Sequence, residues 1–124
     1  MKKLIVIVLA VTLSASYFSC KDASELNKNN PPTAVFTYSP TNIDTTTVVT
    51  FDASLSSDIE DPSALLTYKW DFTGKQQWTD ASSSPTISHL YSKSGTYEVA
   101  LKVIDSDGWS GTTSKTVMVF DSIQ

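Results

Sequence analysis

Hydrophobic and polar residues alternate with a period of two in several stretches of the chain after residue 30. In the clearest stretch, Leu66 to Phe72, large apolar side chains occupy every second position. Successive side chains of a strand point to opposite faces of its sheet, so this period predicts a strand with one buried face. From Pro31 onward no window has apolar residues at helical spacing over three turns. We therefore expect an all-β domain.

The same alternation predicts about seven strands over residues 31–120, separated by turn-forming residues. The predicted strands cover Ala34 to Tyr38, Val49 to Ala53, Leu66 to Phe72, Gln76 to Thr79, Ile87 to Tyr91, Tyr97 to Val103 and Thr113 to Phe120. Short strands with regular turns are typical of an immunoglobulin-like β-sandwich of two sheets. Asp107-Gly108 predicts a tight hairpin between the last two strands, because glycine adopts positive φ without the penalty of a Cβ atom.

Three ring-bearing side chains have predicted structural roles. We expect Trp70 in the centre of the core, and the Tyr97 hydroxyl bonded back to a loop carbonyl as in a tyrosine corner. The lone histidine, His89, is expected to pack and to form a hydrogen bond near the end of the domain rather than to bind metal or act in catalysis. The only cysteine, Cys20, precedes the predicted domain, so no inter-sheet disulfide can form and packing alone must stabilise the sandwich.

The N-terminus has the pattern of a secretory signal. Lys2 and Lys3 precede Leu4 to Leu13, a run of ten residues of which nine are apolar. A spanning helix needs about 20 apolar residues, so this run predicts a cleaved signal peptide over residues 1–19. The site at Cys20 resembles the lipobox of bacterial lipoproteins, which implies that the thiol carries diacylglycerol at the mature N-terminus. The alternative is a free thiol behind an ordinary signal peptide.

Residues 20–30 are predicted to form the lipidated cysteine and a flexible linker. The segment from Lys21 to Asn30 has only Ala23 and Leu26 as apolar residues. Its start, Lys21-Asp22, resembles the acidic export signal that some Gram-negative bacteria place after the lipidated cysteine. This resemblance implies a protein anchored in the outer membrane by its lipid and exposed at the cell surface. The alternatives are a plain solvated linker and a domain that faces the periplasm.

Charge and composition exclude several classes of function for these 124 residues. The net charge is −4 and arginine is absent, so no basic patch is available to bind a nucleic acid. Loss of Lys2 and Lys3 with the signal leaves 7 lysines against 13 acidic residues. The sequence has one histidine, no cysteine inside the domain, no glycine-rich phosphate loop and no cluster of zinc ligands. We therefore expect neither an enzyme nor a small-molecule substrate.

Four segments in order resemble the PKD domain, the polycystic-kidney-disease-type sandwich. They are PPTAVF from residue 31, VTFDASLSSD from 49, LTYKWDF from 66 and HLYSKSGTYEVALKVIDSDG from 89. The resemblance implies a PKD-like sandwich over residues 31–120, followed by a tail at 121–124. Two loops depart from the family pattern, since Phe72-Thr73-Gly74-Lys75 replaces an FGDG-type turn and Asp58 to Pro62 lacks a glycine. We expect both loops to differ in shape from the family average.

The resemblance also implies a candidate metal site. Some PKD domains bind calcium through acidic residues in the loop after the second strand and in the hairpin before the last. The matching residues are Asp58, Glu60, Asp105 and Asp107, whose oxygen ligands suit Ca²⁺. A weak structural calcium site is one interpretation, and ordinary solvated turn residues are the other. Neither interpretation requires a cofactor for function.

Two tryptophans are the candidate ligand-binding residues. Trp78 lies in a short polar segment and Trp109 follows the Asp107-Gly108 turn, so both are expected to contact water and to offer a platform for a peptide or a sugar ring. The alternative is that each covers an end of the core. The first functional hypothesis is a non-catalytic module that binds an extracellular protein or matrix. A carbohydrate-binding accessory module is the second, and a spacer is the third.

Overall fold

The computed structural model describes residues 28–123. The predicted signal peptide (residues 1–19), Cys20 and the linker up to residue 27 lie outside the described residues. Within the described range the chain forms seven strands and one short 3₁₀ turn, Ser63–Leu65. The strands are β1 (Thr37–Ser39), β2 (Ile43–Asp44), β3 (Val48–Asp52), β4 (Thr67–Asp71), β5 (Thr86–Leu90), β6 (Gly95–Ile104) and β7 (Ser110–Phe120). No helix in this range is long and apolar enough to span a membrane.

The strands form two sheets, which confirms the predicted immunoglobulin-like sandwich. One sheet has the order β1-β3-β5 and is antiparallel throughout. The other has the order β2-β7-β6-β4, in which only β2 runs parallel to its neighbour, β7. Strands β6 and β7 pair continuously from Gly95↔Val119 to Ile104↔Ser110. The predicted hairpin at Asp107-Gly108 is confirmed, because it joins these two strands.

Trp70 lies in the centre of the core, as predicted, with only 2% of its surface exposed. Its ring centroid lies 5.2 Å from that of Phe36 in an edge-on contact and 5.7 Å from that of Phe51, which belongs to the opposite sheet. The other core side chains are on the inward positions of both sheets or on residues that flank their strands: Ile43, Val49, Ala53, Leu66, Tyr68, Phe72, Tyr91, Val99, Leu101, Val103, Val117 and Val119. One-sided burial therefore explains the period of two in the sequence.

A row of rings leads from this core toward the start of β6. Phe72 stacks on His89 with centroids 4.1 Å apart, and His89 meets the edge of Tyr91. Tyr91 in turn packs against Tyr97, whose hydroxyl donates a 2.8 Å hydrogen bond to the Lys93 carbonyl. The predicted packing of His89 and the tyrosine corner at Tyr97 are both confirmed, but among residues 28–123 the His89 ring makes no hydrogen bond to accompany its packing. Burial lowers the pKa of His89, because the charged imidazolium loses water.

The prediction of a strand over Gln76–Thr79 is wrong. The Asp71 carboxylate accepts hydrogen bonds from the backbone N–H groups of Thr73, Gly74 and Gln76, and these bonds wind the chain into a turn. Burial raises the pKa of Asp71, but these bonds lower it by more, so it ends below its usual value. Gln76 takes a left-handed φ of 58° at the end of that turn. The turn ends at Gln76, and beyond it the N–H of Thr79 bonds to the Trp70 carbonyl without forming a strand.

The first predicted strand is shorter than expected and a further strand follows it. The Ser56 hydroxyl bonds to both the N–H and the carbonyl of Val35, so the chain before Thr37 is held by a loop rather than by a strand. The turn-rich segment after β1 contains β2, where Ile43 is 1% exposed and pairs with Val119. Two residues are too few to show a period in the sequence.

Candidate functional site

The hairpin between β6 and β7 is held by the side chain of its first residue. Asp105 Oδ1 accepts hydrogen bonds from the backbone N–H groups of Asp107 (2.9 Å) and Trp109 (2.8 Å). Gly108 has a φ of +89°, which allows the tight turn. Burial raises the pKa of Asp105, but hydrogen bonds from Asn29 and from these N–H groups lower it by more. The carboxylate therefore stays ionised at neutral pH and fixes the loop.

The chain enters the domain at this same hairpin. Asn29 Nδ2 donates a 2.7 Å hydrogen bond to Asp105 Oδ2, and the side-chain amide of Asn30 bonds to the Glu60 carboxylate. Further along, the Pro32 carbonyl lies so close to Gly111 that a Cβ atom there would be 1.9 Å from the carbonyl oxygen. The N-terminal segment is thus docked from Asn29 onward. We refer to residues 29–32, 58–61 and 105–109 as the hairpin end.

The acidic loop after β3 meets the hairpin, so the structure brings together the two loops that carry the predicted calcium ligands. Asp58 Oδ1 accepts hydrogen bonds from the N–H groups of Glu60 and Asp61, both at 2.8 Å. Asp61 Oδ2 then accepts a 2.7 Å bond from the N–H of Ser106. The loops are adjacent because Asp61, which sequence reasoning did not select, joins them.

The predicted ligands are not assembled into a calcium cage. Both oxygens of Asp105 accept hydrogen bonds from the protein, and both oxygens of Glu60 accept bonds from Asn30. Asp58 Oδ2 is buried without a partner, whereas Asp107 is exposed. Between residues 28 and 123 no group of three or more His, Cys, Asp or Glu side chains is placed to hold a metal. The calcium site stays a prediction, and the contacts observed are those of loop organisation.

The two candidate tryptophans have different surroundings. Trp109 follows the hairpin turn and is 54% exposed. Trp78 is half-buried, and the ammonium of Lys102 lies 4.6 Å above its ring centroid, a cation–π contact on the outer face of β6. Trp109 therefore offers an open ring held on a fixed backbone, whereas part of the Trp78 ring is already covered by this chain.

Comparison with known proteins agrees with this architecture. The family model described as the PKD domain matches residues 29–120. The match begins at Asn29, the first residue docked on the hairpin. Collagenase ColA of Clostridium perfringens is 30% identical over 98 residues, which are 79% of this chain and 8% of the collagenase. The chain therefore spans less than a tenth of the length of that relative.

Two solved structures share the fold. The first comes from a study of the promiscuous specificity of carbohydrate-binding modules of the β-sandwich superfamily; it is 36% identical, with a TM-score of 0.68, and the match covers 77% of this chain and 36% of the solved one. The second is the PKD1 domain of Vibrio anguillarum Epp, which is 28% identical with a TM-score of 0.59. That match covers 77% of this chain and all of the Vibrio domain.

Proposed function

This chain belongs to the PKD domain family, and we propose that it is a non-catalytic interaction module, held at the outer membrane by a lipid on Cys20, whose partner is an extracellular protein or matrix component. The observation that carries the proposal is the exposed indole of Trp109 on a hairpin with a fixed backbone. Tryptophan is enriched among the residues that contribute most of the binding free energy of protein contacts, and a loop whose backbone is already ordered loses little further entropy on binding.

The chemistry of the described residues supports a non-catalytic role. His89 is the only histidine in the chain, and its ring is stacked on Phe72 inside the domain. The carboxylates of Asp71 and Asp105 are occupied by backbone N–H groups of their own loops. The carboxylates of Asp71 and Asp105 therefore stabilise turns and are not free to transfer protons to a substrate.

The docking of Asn29 indicates which end of the domain would face the membrane if Cys20 carries a lipid. Eight residues separate Cys20 from Asn29, and a chain of that length reaches at most about 30 Å when fully extended. A lipid on Cys20 would therefore keep the hairpin end, including Trp109, near the membrane. We infer that the partner of Trp109 is a protein or matrix component that reaches this membrane-facing end.

The anchor is tested with Cys20→Ala in the full chain. The variant is expected to keep its signal peptide and to incorporate no fatty acid, because it has no thiol to acylate. Cys20→Ser, which also lacks the thiol but keeps a polar hydroxyl, serves as the second variant. Metabolic labelling with an alkyne fatty acid checks the modification directly. Cleavage of the signal peptide and labelling that are unchanged from the parent in both variants would contradict the proposed anchor.

The contact at Trp109 is tested by photo-crosslinking in cells. Benzoylphenylalanine at position 109 is expected to form a defined protein adduct, because it places a reactive aromatic group in the proposed interface. The matched control places the same group at Leu90, which is 50% exposed on the outer face of the other sheet. Equal adducts from both positions, or none from position 109, would count against the proposal.

Carbohydrate binding is the second candidate function. It is favoured by the likeness to the structure from the study of carbohydrate-binding modules, at 36% identity. Exposed indoles such as Trp109 offer flat apolar faces on which a sugar ring can stack. Quenching of tryptophan fluorescence by soluble glycans, lost in a Trp78→Ala and Trp109→Ala double variant that remains folded, would support this candidate over a protein partner.

A further inference from the structure

The end of the sandwich opposite the hairpin carries an open hollow of about 510 Å³. It lies where β2 meets the last residues of β7 and the segment after it. Its lining residues are Asn42, Ile43, Asp44, Phe120, Asp121 and Ile123. Strand β7 runs from Ser110 at the hairpin to Phe120 at the hollow. At about 3.3 Å per residue this separates the two ends by roughly 30 Å. We refer to these lining residues as the far-end hollow.

Backbone contacts hold the far-end hollow in shape. Asp44 of β2 pairs with Phe120 of β7, and the N–H of Thr45 donates a 3.1 Å hydrogen bond to the Phe120 carbonyl. The hydroxyl of Thr45 also bonds to the Ser122 hydroxyl at 3.3 Å, which holds the segment after β7. The position of the Phe120 backbone is therefore set before any ligand arrives.

An open aromatic ring and polar groups line the far-end hollow. Phe120 is 55% exposed on the outer face of β7, whereas Ile43 of the neighbouring strand is buried toward the core. Asn42 and Asp121 are exposed, and no hydrogen bond to either side chain is present among residues 28–123. These groups offer an apolar surface together with an amide and a carboxylate that are free to bond with a ligand.

The hollow also has a negative charge. Asp44 Oδ1 accepts hydrogen bonds from the Thr46 hydroxyl, the Thr46 N–H and the Thr47 hydroxyl, and these bonds lower the pKa of the carboxyl below its usual value. Asp44 is therefore ionised at neutral pH, and Asp121 adds a second carboxylate. None of the lining residues is basic. A negatively charged ligand would be repelled.

We propose that the far-end hollow binds a sugar ring of a neutral polysaccharide. The C–H face of a pyranose is apolar and can stack on the exposed ring of Phe120, while its hydroxyls can donate to Asp121 and exchange hydrogen bonds with Asn42. The volume lies in the range of ligand sites in proteins. The two carboxylates disfavour uronic acids and sulfated sugars, because like charges repel. This site does not depend on the proposed function at Trp109, because it lies at the other end of the domain.

The test is an NMR titration of the ¹⁵N-labelled chain without its signal peptide, using neutral hexasaccharides as probes: cellohexaose, xylohexaose, mannohexaose and laminarihexaose. At least one of them is expected to shift the amide signals of residues 42–46 and 120–123. A hexamer of galacturonic acid is the charged comparison and is expected to bind more weakly than the best neutral probe. The proposal is overturned if none of the four neutral probes shifts these signals, if the shifts centre on Trp109, or if the acidic hexamer binds at least as well.

Variants then identify the residues that bind the probe. Phe120→Ala is expected to weaken binding by about tenfold or more through loss of the stacking ring, whereas Phe120→Trp retains it. Met118→Ala is the matched control, because Met118 is 56% exposed on the same side of β7 and is not part of the hollow. Asn42→Ala changes an exposed loop residue and should also weaken binding. It provides a second test of the hollow if Phe120→Ala does not fold. Binding that is equal in Phe120→Ala and Met118→Ala, or unchanged in Asn42→Ala, would contradict the assignment.

Discussion

At the hairpin end the carboxylates of Asp58, Asp61 and Asp105 accept hydrogen bonds from the protein, whereas at the far-end hollow the Asn42 amide and the Asp121 carboxylate remain exposed beside the ring of Phe120. Asp105 accepts bonds from Asn29 and Trp109, and Asp61 joins two loops. Asn42 and Asp121 make no such bonds within residues 28–123. Three of the four predicted calcium ligands, Asp58, Glu60 and Asp105, thus bond to the protein, while residues with no sequence motif line the hollow.

Both ends depend on one core, so the largest expected effect comes from its centre. Trp70→Ala should lower the free energy of unfolding by about 3 to 5 kcal/mol, because the lost ring leaves a cavity between the sheets. Urea denaturation followed by circular dichroism measures this change. Val48→Ala, on the exposed outer face of β3, is the control and should have a small effect. Equal stability of the Trp70→Ala variant and the parent would contradict the central position of the ring.

The docking of the N-terminal segment at the hairpin end is tested at Gly111. Gly111→Ala places a Cβ atom 1.9 Å from the Pro32 carbonyl oxygen, so the docked segment must move. We expect a loss of about 1 to 3 kcal/mol in unfolding free energy, as for other overpacked sites. The neighbouring Ser110→Ala, at an exposed position, should change stability little. An unchanged melting temperature in Gly111→Ala would show that the segment is not docked as described.

The difference between bonded and free carboxylates is tested by a matched pair of substitutions. Asp105→Ala should lower the melting temperature, since it removes the acceptor for the N–H groups of Asp107 and Trp109. Asp121→Ala should leave it unchanged. The pKa of Asp105 lies below its usual value of 3.8, so its contribution is present above about pH 3.8 and is lost as pH falls further. Equal changes in melting temperature for Asp105→Ala and Asp121→Ala at pH 7 would show that the bonded carboxylate stabilises the fold no more than the free one.

A smaller effect is expected from His89 in mild acid. Burial lowers the pKa of His89 below its usual value of 6.5, so the unfolded chain binds more protons there than the folded one. The contribution of this residue is therefore complete above about pH 6.5 and decreases as pH falls toward the pKa of the folded state. His89→Phe keeps a ring against Phe72 but does not titrate. Melting temperatures of parent and variant that fall in parallel between pH 7 and pH 5 would refute this role.

The effect of calcium on the melting temperature tests whether the acidic residues of the hairpin end bind a metal. The contacts of Asp105 and Glu60 with the protein leave no assembled cage, so millimolar CaCl₂ is expected to leave the melting temperature of the parent unchanged. A rise that EDTA reverses and that Asp58→Asn abolishes would establish the predicted site instead. Asp121→Asn is the matched control, because it removes the same charge at the other end of the domain.

Much of the fold could be predicted because the sandwich buries one face of each long strand. Phe51, Trp70 and Leu101 all show this in a period of two. The period fails where strands are short or where side chains bend the backbone. Ile43 belongs to a two-residue strand, and the carboxylate of Asp71 turns the segment after β4.

The sites were less predictable for a different physical reason. The hydrogen bond from Asn29 to Asp105 joins residues 76 positions apart, and nothing local in the sequence marks it. The exposure of Trp109 was predictable from the turn that precedes it, but the cover that Lys102 gives to Trp78 depends on a neighbouring strand. The far-end hollow forms only where β2 meets Phe120, so tertiary structure is needed to find it.

The most direct test of the proposed membrane-anchored extracellular module is its accessibility on intact cells. A cleavage site for a sequence-specific protease and an epitope are added after Gln124. Protease added to intact cells is expected to release the epitope while a periplasmic control protein stays uncut. Release only after lysis, with the same site cut in the lysed sample, would contradict exposure at the cell surface.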